Sequence, residues 1–549
     1  MTKEISSGMR VFDRVPGFMQ EEEKRVQYFE LIFRRYIMAQ LLGWKKGDWG
    51  AYFGLLANNL TNFFTMAGLL IFTVGMPAEF VYKRIAPGFG LAIFIAGFFY
   101  WYAGKNLMKK TGRTDVTALP SGPSAPSIFI VVFMVIMPIA KSTGDVYYAW
   151  RVALGWCFLE ALIELSGAFI GDWLRRIIPR SVLLSALSGL GLLLLAMNPI
   201  LQSFEAPYVA FVVIAVIFIN WFGKKAVFPK IPTGFLILAI GTVLAWLFGQ
   251  MDASGITEGL KQVGFSFPIP QFGDLFKGIS PAMVFLISAI PLGVTNFIFT
   301  LENIESASAA GDDFNVRNIM LANGISSIIG SFFGCPFPTT VYIGHPGWKS
   351  IGAGIGYTLV TGFTVFVISI LGLGGLFLGI IPLSAVFPIL FYVGIVVARQ
   401  AANETPKIEL PVVFVSLFPW IANWALTLVN NTLSAAGTNA GAVGLEAFTK
   451  AGVYHRGLVA LGSGAPISSI VWGCLVVFAI RNDSTKAIIT AVTAAVLTYT
   501  GVIHSPGVGF GLQPEITVGY LLIAGLFAYK FFADKKGLAG ETDMPDQTA

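Results

Sequence analysis

Long apolar runs alternate with short polar and basic clusters along the chain. Taken at about twenty residues per crossing, runs near 50–75, 86–104, 147–171, 181–198, 206–222 and 232–249 predict membrane-spanning helices. Between the second and third lies a shorter Pro-rich stretch, ALPSGPSAPSIFIVVFMVIMPIA, which makes seven crossings when counted. After a loop over 250–279, runs near 281–303, 316–334, 338–355, 356–378, 382–398, 409–428 and 457–480 predict seven more. Two further runs, 487–503 and 515–533, are expected as extra C-terminal helices, and the Gly-rich stretch 430–452 as an external loop.

An odd number of crossings makes the second half enter from the opposite face. Two seven-span halves of similar layout are then related by an inverted pseudo-two-fold axis, a transporter architecture. Each half carries one Pro/Gly-interrupted segment at its third position, 119–127 in the first and 335–347 in the second. Corresponding broken segments point to a binding site. The expected fold is therefore an all-α polytopic membrane protein, a seven-plus-seven inverted repeat with broken third and tenth spans and about two added helices. Its predicted divisions are a cytoplasmic segment 1–47 with an amphipathic helix, a first repeat 48–250, an external loop 251–279, a second repeat 280–480, the added helices 481–534 and a disordered tail 535–549.

Loop charge orients this plan. With the N-terminus inside, Lys105, Lys109, Lys110 and Arg113, then Arg175, Arg176 and Arg180, then Lys224, Lys225 and Lys230 fall in the cytoplasm. The opposite loops hold only Lys83 with Arg84, Lys141 with Arg151, and Lys261 with Lys277, as the positive-inside rule requires. Both termini are expected in the cytoplasm, in a bacterial-type inner membrane. Composition agrees: 55% of the 549 residues are hydrophobic and 12% charged, about half the charge of a soluble domain, and the mean hydropathy is +0.74. The net charge of +6 thus belongs to orientation, not to nucleic-acid binding. Cys157, Cys335 and Cys474 lie in apolar stretches without paired spacing, which suggests neither a disulfide framework nor a zinc site. No cleavable signal core opens the chain, and no P-loop, HExxH or nucleophile elbow marks an enzyme.

Candidate chemistry concentrates at the breaks and beside them. In SGPSAPSIF, Ser121 or Ser124 can cap a half-helix, and Pro346 can start another in GHPGWKSIG. Such ends present free N–H groups to a ligand. Glu302 follows an uninterrupted apolar run, and small residues continue after it to Asp312 and Asp313, so its helix can run on and keep it inside. The competing reading makes it a solvated helix end. Asn303 adjoins it, and Glu305, one turn on, is a lip residue, a partner or a second proton-coupling group. Asn58, Asn59, Thr61 and Asn62 place amides and a hydroxyl within the first span, facing other helices or a cavity. His345 and Lys349 flank the second break; Lys349 is placed to contact an anion or pair with a carboxylate, and Trp348 to stack on a planar ligand or sit at the interface. Glu160 and Glu164 share one helical face, as a proton relay or as structural pairing, with Asp172 two turns beyond.

Several of these motifs resemble one family. NLTNFFTMAGLLIF resembles the first span, ALPSGPSAPSIF the third, LENIESA the eighth and GCPFPTTVYIGHPG the tenth of the adenine/guanine/hypoxanthine permease branch of the nucleobase:cation symporters, which include xanthine and uracil permeases. The resemblance implies fourteen spans divided into a core domain (spans one to four and eight to eleven) and a gate domain. It also implies two short strands before the half-helices, with substrate bound between them. Glu302 matches the acidic residue that holds substrate and is linked to proton coupling. Thr339, Thr340 and Tyr342 match the tenth-span polar run, and Asn59 and Thr61 the polar part of the first span. The family's second glutamate, in TSYIES-type motifs, is replaced by Gly344 followed by His345, which favours a more acceptor-rich or anionic ligand. The implied function is symport of a small purine-type nucleobase with H+, Na+ being the alternative ion. No other cofactor is implied, the bilayer is the only other partner, and a homodimer through the gate is compatible. The alternatives are an organic or inorganic anion carrier on the same fold and a non-transporting membrane sensor.

Overall fold

The computed structural model describes residues 41–228, 231–283 and 286–536. The expected amphipathic segment up to residue 40, Lys230 and the tail from 537 lie outside them. The protein is a mostly helical, multi-span membrane protein. Among the described residues seven helices are long and apolar enough to cross a bilayer: Asp48–Thr73, Ala78–Thr111, Val146–Ile177, Arg180–Glu205, Leu383–Glu404, Lys407–Ala435 and Pro514–Lys535. A bent pair, His455–Gly462 and Ala465–Ile480, makes an eighth.

In chain order the elements that matter are α1 (Asp48–Gly68), α2 (Ala86–Thr111), strand β1 (Ser121–Pro123), α3 (Ala125–Ile130, continuing as helix to Thr143), α4 (Val146–Ile177), α5 (Arg180–Leu190, continuing to Glu205), α6 (Pro207–Ile217) and α7 (Thr233–Leu247). The second half holds α8 (Leu286–Ala309), α9 (Val316–Phe332), strand β2 (Thr339–Val341), α10 (His345–Ser350), α11 (Gly356–Ile370), α12 (Leu383–Glu404), α13 (Leu417–Ala435) and α14 (Ala465–Ile480). The added helices are α15 (Ser484–Tyr499) and α16 (Pro514–Lys535), packed on each other.

Glycine brings these helices close, because lipid offers no hydrophobic drive for helix association and packing of small residues replaces it. A Cβ on Gly97 of α2 would lie 2.7 Å from the Thr358 carbonyl of α11, and one on Gly362 would lie 3.0 Å from that of Ile93. Gly293 and Gly324 seat α8 and α9 against Ile163 and Leu165 of α4 in the same way. Asp48 ties the ends together: its buried carboxylate accepts from the amides of Gly354 at 3.1 Å and Tyr357 at 3.0 Å, at the entry to α11.

Three stretches differ from the sequence expectation. The 250–279 loop contains helices Ala253–Leu260 and Phe272–Ala282, and 430–452 contains the end of α13 with two short helices, Ala440–Val443 and Leu445–Lys450. The run near 457–480 bends by 81° where Gly464 adopts φ +71 ahead of Pro466. Cys157, Cys335 and Cys474 are buried free thiols.

Candidate functional site

The two broken segments meet. β1 and β2 pair antiparallel, Ser121 opposite Val341, Gly122 opposite Thr340 and Pro123 opposite Thr339. Flanking bonds extend the pairing, Ser124 N to Pro338 O and Tyr342 N to Pro120 O, each 2.8 Å. Proline-rich sequence here cannot form helix, and non-helical backbone at membrane depth must be satisfied by protein. The pairing supplies that satisfaction. Gly122 is required for it, because a Cβ there would lie 2.4 Å from the Tyr342 ring and 2.9 Å from Asn59 Oδ1.

The helices that leave the strands are unequal. Ser124 is the N-cap residue of α3, with Pro126 in the first turn, but its hydroxyl donates to Asn296 Oδ1 at 2.9 Å instead of capping. Ser121 sits in the strand, its hydroxyl 3.4 Å from that of Thr358. α10 is a single short helix of 6 residues, too short to sum much dipole. Gly344 precedes it at φ +132, ψ −2, a conformation closed to other L residues. A glutamate therefore cannot occupy this position without a change of backbone.

First-span residues reach the pair from α1. Asn59 Nδ2 donates to the Ser121 carbonyl at 3.1 Å, and Asn62 Nδ2 donates to the Tyr342 hydroxyl at 2.9 Å. Thr61 instead donates to its own helix at Ala57 O, as Asn303 does at Phe299 O. Thr339 is absorbed in a hydroxyl network with Ser327 and Asn323, and Thr340 is buried beside it.

Glu302 lies on α8, the helix that packs against α4, α5, β2, α10 and α14. α8 runs on to Ala309, so Glu302 is not a helix end. Its side chain is fully buried, and neither carboxylate oxygen has a hydrogen-bond partner among the described residues. Asn59 Oδ1 and the indole N–H groups of Trp348 and Trp420 are likewise buried without partners. Buried polar groups are almost always paired, and Glu302 is unusual in that both of its carboxylate oxygens are unmet.

Five basic side chains of the two halves are held by two carboxylates, Asp312 and Glu305. Asp312, fully buried after α8, receives Lys349 Nζ at 2.6 Å, Arg113 at 3.1 Å and the Thr117 amide at 3.0 Å. His345 Nε2 stands 3.2 Å from the same carboxylate and 3.0 Å from the Thr117 carbonyl. Burial opposes ionisation of Asp312, but the bonds from His345 and Lys349 outweigh it and hold its carboxyl below the usual carboxylate range. Glu305 accepts from Arg175 at 2.5 Å and Arg180 at 2.9 Å. Of the two alternatives for Lys349, the structure shows pairing with a carboxylate, Asp312, which His345 joins as well, and Glu305 is an ion-pair partner. Sequence reasoning missed Asp312, Asn296, Thr300 and Asn323; the last three stood in apolar runs, where polar spacing is the signal.

A separate apolar cleft of about 680 Å³ lies among α1, α7, α11 and α12, lined by residues such as Tyr52, Leu56, Phe235, Val367 and Val386, without Glu302.

Three solved structures are similar over much of the chain. The transmembrane domain of a cyanobacterium bicarbonate transporter, BicA, aligns at 17% identity and TM-score 0.41, covering 70% of this chain and 95% of that one. SLC26A9 aligns at 16% and 0.40, covering 74% and 68%. The murine SLC26A9 anion transporter in its inward-facing state aligns at 14% and 0.40, covering 77% and 73%. No curated protein matches the chain in sequence. Residues 116–353, which carry both strands, α3, α10 and Glu302, match the model of the permease family named for xanthine and uracil permeases, a transporter family and not an enzyme family.

Proposed function

We propose that the protein is a secondary active transporter that carries a purine-type nucleobase in symport with protons across a bacterial-type inner membrane. The observation that carries the reading is Glu302. A carboxyl at membrane depth with neither oxygen bonded is costly unless a ligand or proton completes it. A nucleobase edge supplies N–H donors for Glu302 and Asn59 Oδ1 and a carbonyl acceptor for the Trp348 indole. An anionic cargo finds less support, since Lys349, Arg113, Arg175 and Arg180 are all held by Asp312 and Glu305. In this reading the chain is a seven-plus-seven inverted repeat. The core domain, α1 to α4 with α8 to α11, moves against the gate, α5 to α7 with α12 to α14, and Glu302 takes up substrate and proton where they face each other. Both termini lie in the cytoplasm.

The test is uptake of radiolabelled hypoxanthine, xanthine, uracil and urate by vesicles carrying wild type or Glu302→Gln. Wild type should accumulate at least one purine, and the variant should lose that uptake. Normal transport by the variant refutes the assigned role.

A further inference from the structure

One buried network lies outside the site just assigned. Glu160 and Glu164 stand one turn apart on α4, both fully buried. Glu160 Oε1 accepts from Asn296 Nδ2 at 2.6 Å, and Glu164 Oε1 accepts from Asn323 Nδ2 at 2.5 Å and Thr300 Oγ1 at 3.4 Å. The second oxygen of each carboxyl, Oε2, is buried and has no partner among the described residues. Every donor to the pair is neutral.

The titratable groups around it add no positive charge. They are Cys157 on α4 itself, Cys335 across from Cys157, and Tyr100 of α2, which donates to Asn323 Oδ1 at 3.1 Å. α8 contributes Asn296 and Thr300 to this side. Glu302 lies about 120° around that helix from Asn296 and about 160° from Thr300, away from the face they share. α3 and α9 bring only hydroxyls and amides here. Two ionised carboxyls buried without a counter-charge would carry two negative charges, so at least one positive charge has to be supplied to the pair. A calcium ion needs six to eight oxygens, and no group of three or more His, Cys, Asp or Glu side chains that could hold a metal ion occurs among the described residues.

We propose that Glu160 and Glu164 together hold one monovalent cation, a proton or a sodium ion, at a second site whose occupancy is coupled to the substrate site. The coupling route is short. Asn296, which donates to Glu160, also accepts from Ser124 at the start of α3 at 2.9 Å. Asn323, which donates to Glu164, also contacts Thr339 of β2 at 3.4 Å. Each carboxyl thus touches one of the two elements that flank the proposed cargo, through a single amide. The coupling part of the inference rests on the transporter reading; the ion site does not.

The experiment has one arm that needs no cargo. Infrared difference spectra of purified Glu302→Gln protein, recorded against pH and against sodium, isolate the remaining buried carboxyls. A proton site gives a protonated-carboxyl band that Glu160→Gln or Glu164→Gln removes. A sodium site gives a carboxylate band that shifts on sodium addition and stops shifting in those variants. Absence of both signals, or their persistence in the double Gln variant, overturns the ion site even if the Gln variants fold poorly, because the first measurement uses intact glutamates. The second arm compares gradient-driven accumulation with substrate exchange in proteoliposomes. Glu164→Gln and Glu164→Asp should keep exchange, with Gln losing accumulation down to the exchange level and Asp retaining part of it. Equal loss of both activities in both variants overturns the coupling. Absence of any transport by wild type defeats the transporter reading alone.

Discussion

Replacing Asp312 by Asn should destabilise the protein more than any other single carboxylate change near the site. The side chain is fully buried and serves four partners from two distant segments: Arg113 and Thr117 before β1, and His345 and Lys349 around α10. Asn keeps the shape and can still accept from the Thr117 amide, but it removes the charge that neutralises Lys349, whose side chain is only 18% exposed. Breaking a buried pair from one side costs about 3–5 kcal/mol. At about 2 °C per kcal/mol, the low end of the scale for large domains, the midpoint of thermal unfolding should fall by about 6–10 °C. The sign with pH follows from the depressed carboxyl. A group held below its ordinary value of 3.8 contributes its full stabilisation above that value and loses it as pH falls through the folded one. The gap between Asp312→Asn and wild type should therefore stay constant from about pH 5 to 8 and close only in strong acid. Glu302→Gln supplies the contrast, because it removes a buried carboxyl that has no partner to lose, and its midpoint should stay level or rise. Fluorescence-detected unfolding of purified protein measures both. A midpoint for Asp312→Asn within 1 °C or so of wild type at neutral pH would falsify the hub argument.

Other substitutions follow from the same geometry. Gly122→Ala pushes a methyl into the Tyr342 ring at 2.4 Å; overpacking of this kind costs about 1–3 kcal/mol, and binding measured by ligand-induced thermal shift should be lost together with stability. Gly344→Ala forces a side chain to φ +132 and should cost about 1–3 kcal/mol, read as a lower unfolding midpoint, whereas Gly347→Ala, whose nearest neighbour would be 3.7 Å away, should be tolerated. Glu305→Gln removes the charge shared by Arg175 and Arg180 and should lower stability by about 1.5–3 kcal/mol; Arg180→Ala should cost less, since that side chain is 43% exposed.

The helical scaffold was legible because apolar length is a local signal. The two breaks were legible too: Pro and Gly within 119–127 and 335–347 mark where helix cannot form, and strands β1 and β2 occupy those places. The burial of Glu302 could be read from the small residues that follow it to Ala309. What stayed hidden depends on distance in sequence. Asp312 looked like an ordinary polar residue beyond a helix end, since its partners come from residues 113–117 and 345–349 and nothing nearby announces them. Which carboxylate Lys349 would meet stayed hidden for the same reason. Asn296 and Thr300 stand four apart in an apolar run, a pattern that could have flagged a second polar face on α8, but their acceptors on α4 are more than a hundred residues away. The helices within 250–279 and 430–452 were obscured by glycine, which lowers helix propensity without forbidding a short turn.

The three-rung ladder between β1 and β2 also fixes an order of events during synthesis. Ser121 cannot meet Val341 until some 220 further residues have left the ribosome, which at 5–20 residues per second takes about 10–40 s. Throughout that interval the first strand sits in the bilayer with its backbone unmet, dependent on water, a chaperone or the translocon for provisional partners. A ribosome stalled before the second half is inserted should therefore leave a quality-control substrate, and a split chain expressed as two halves should recover its fold only when both are made together.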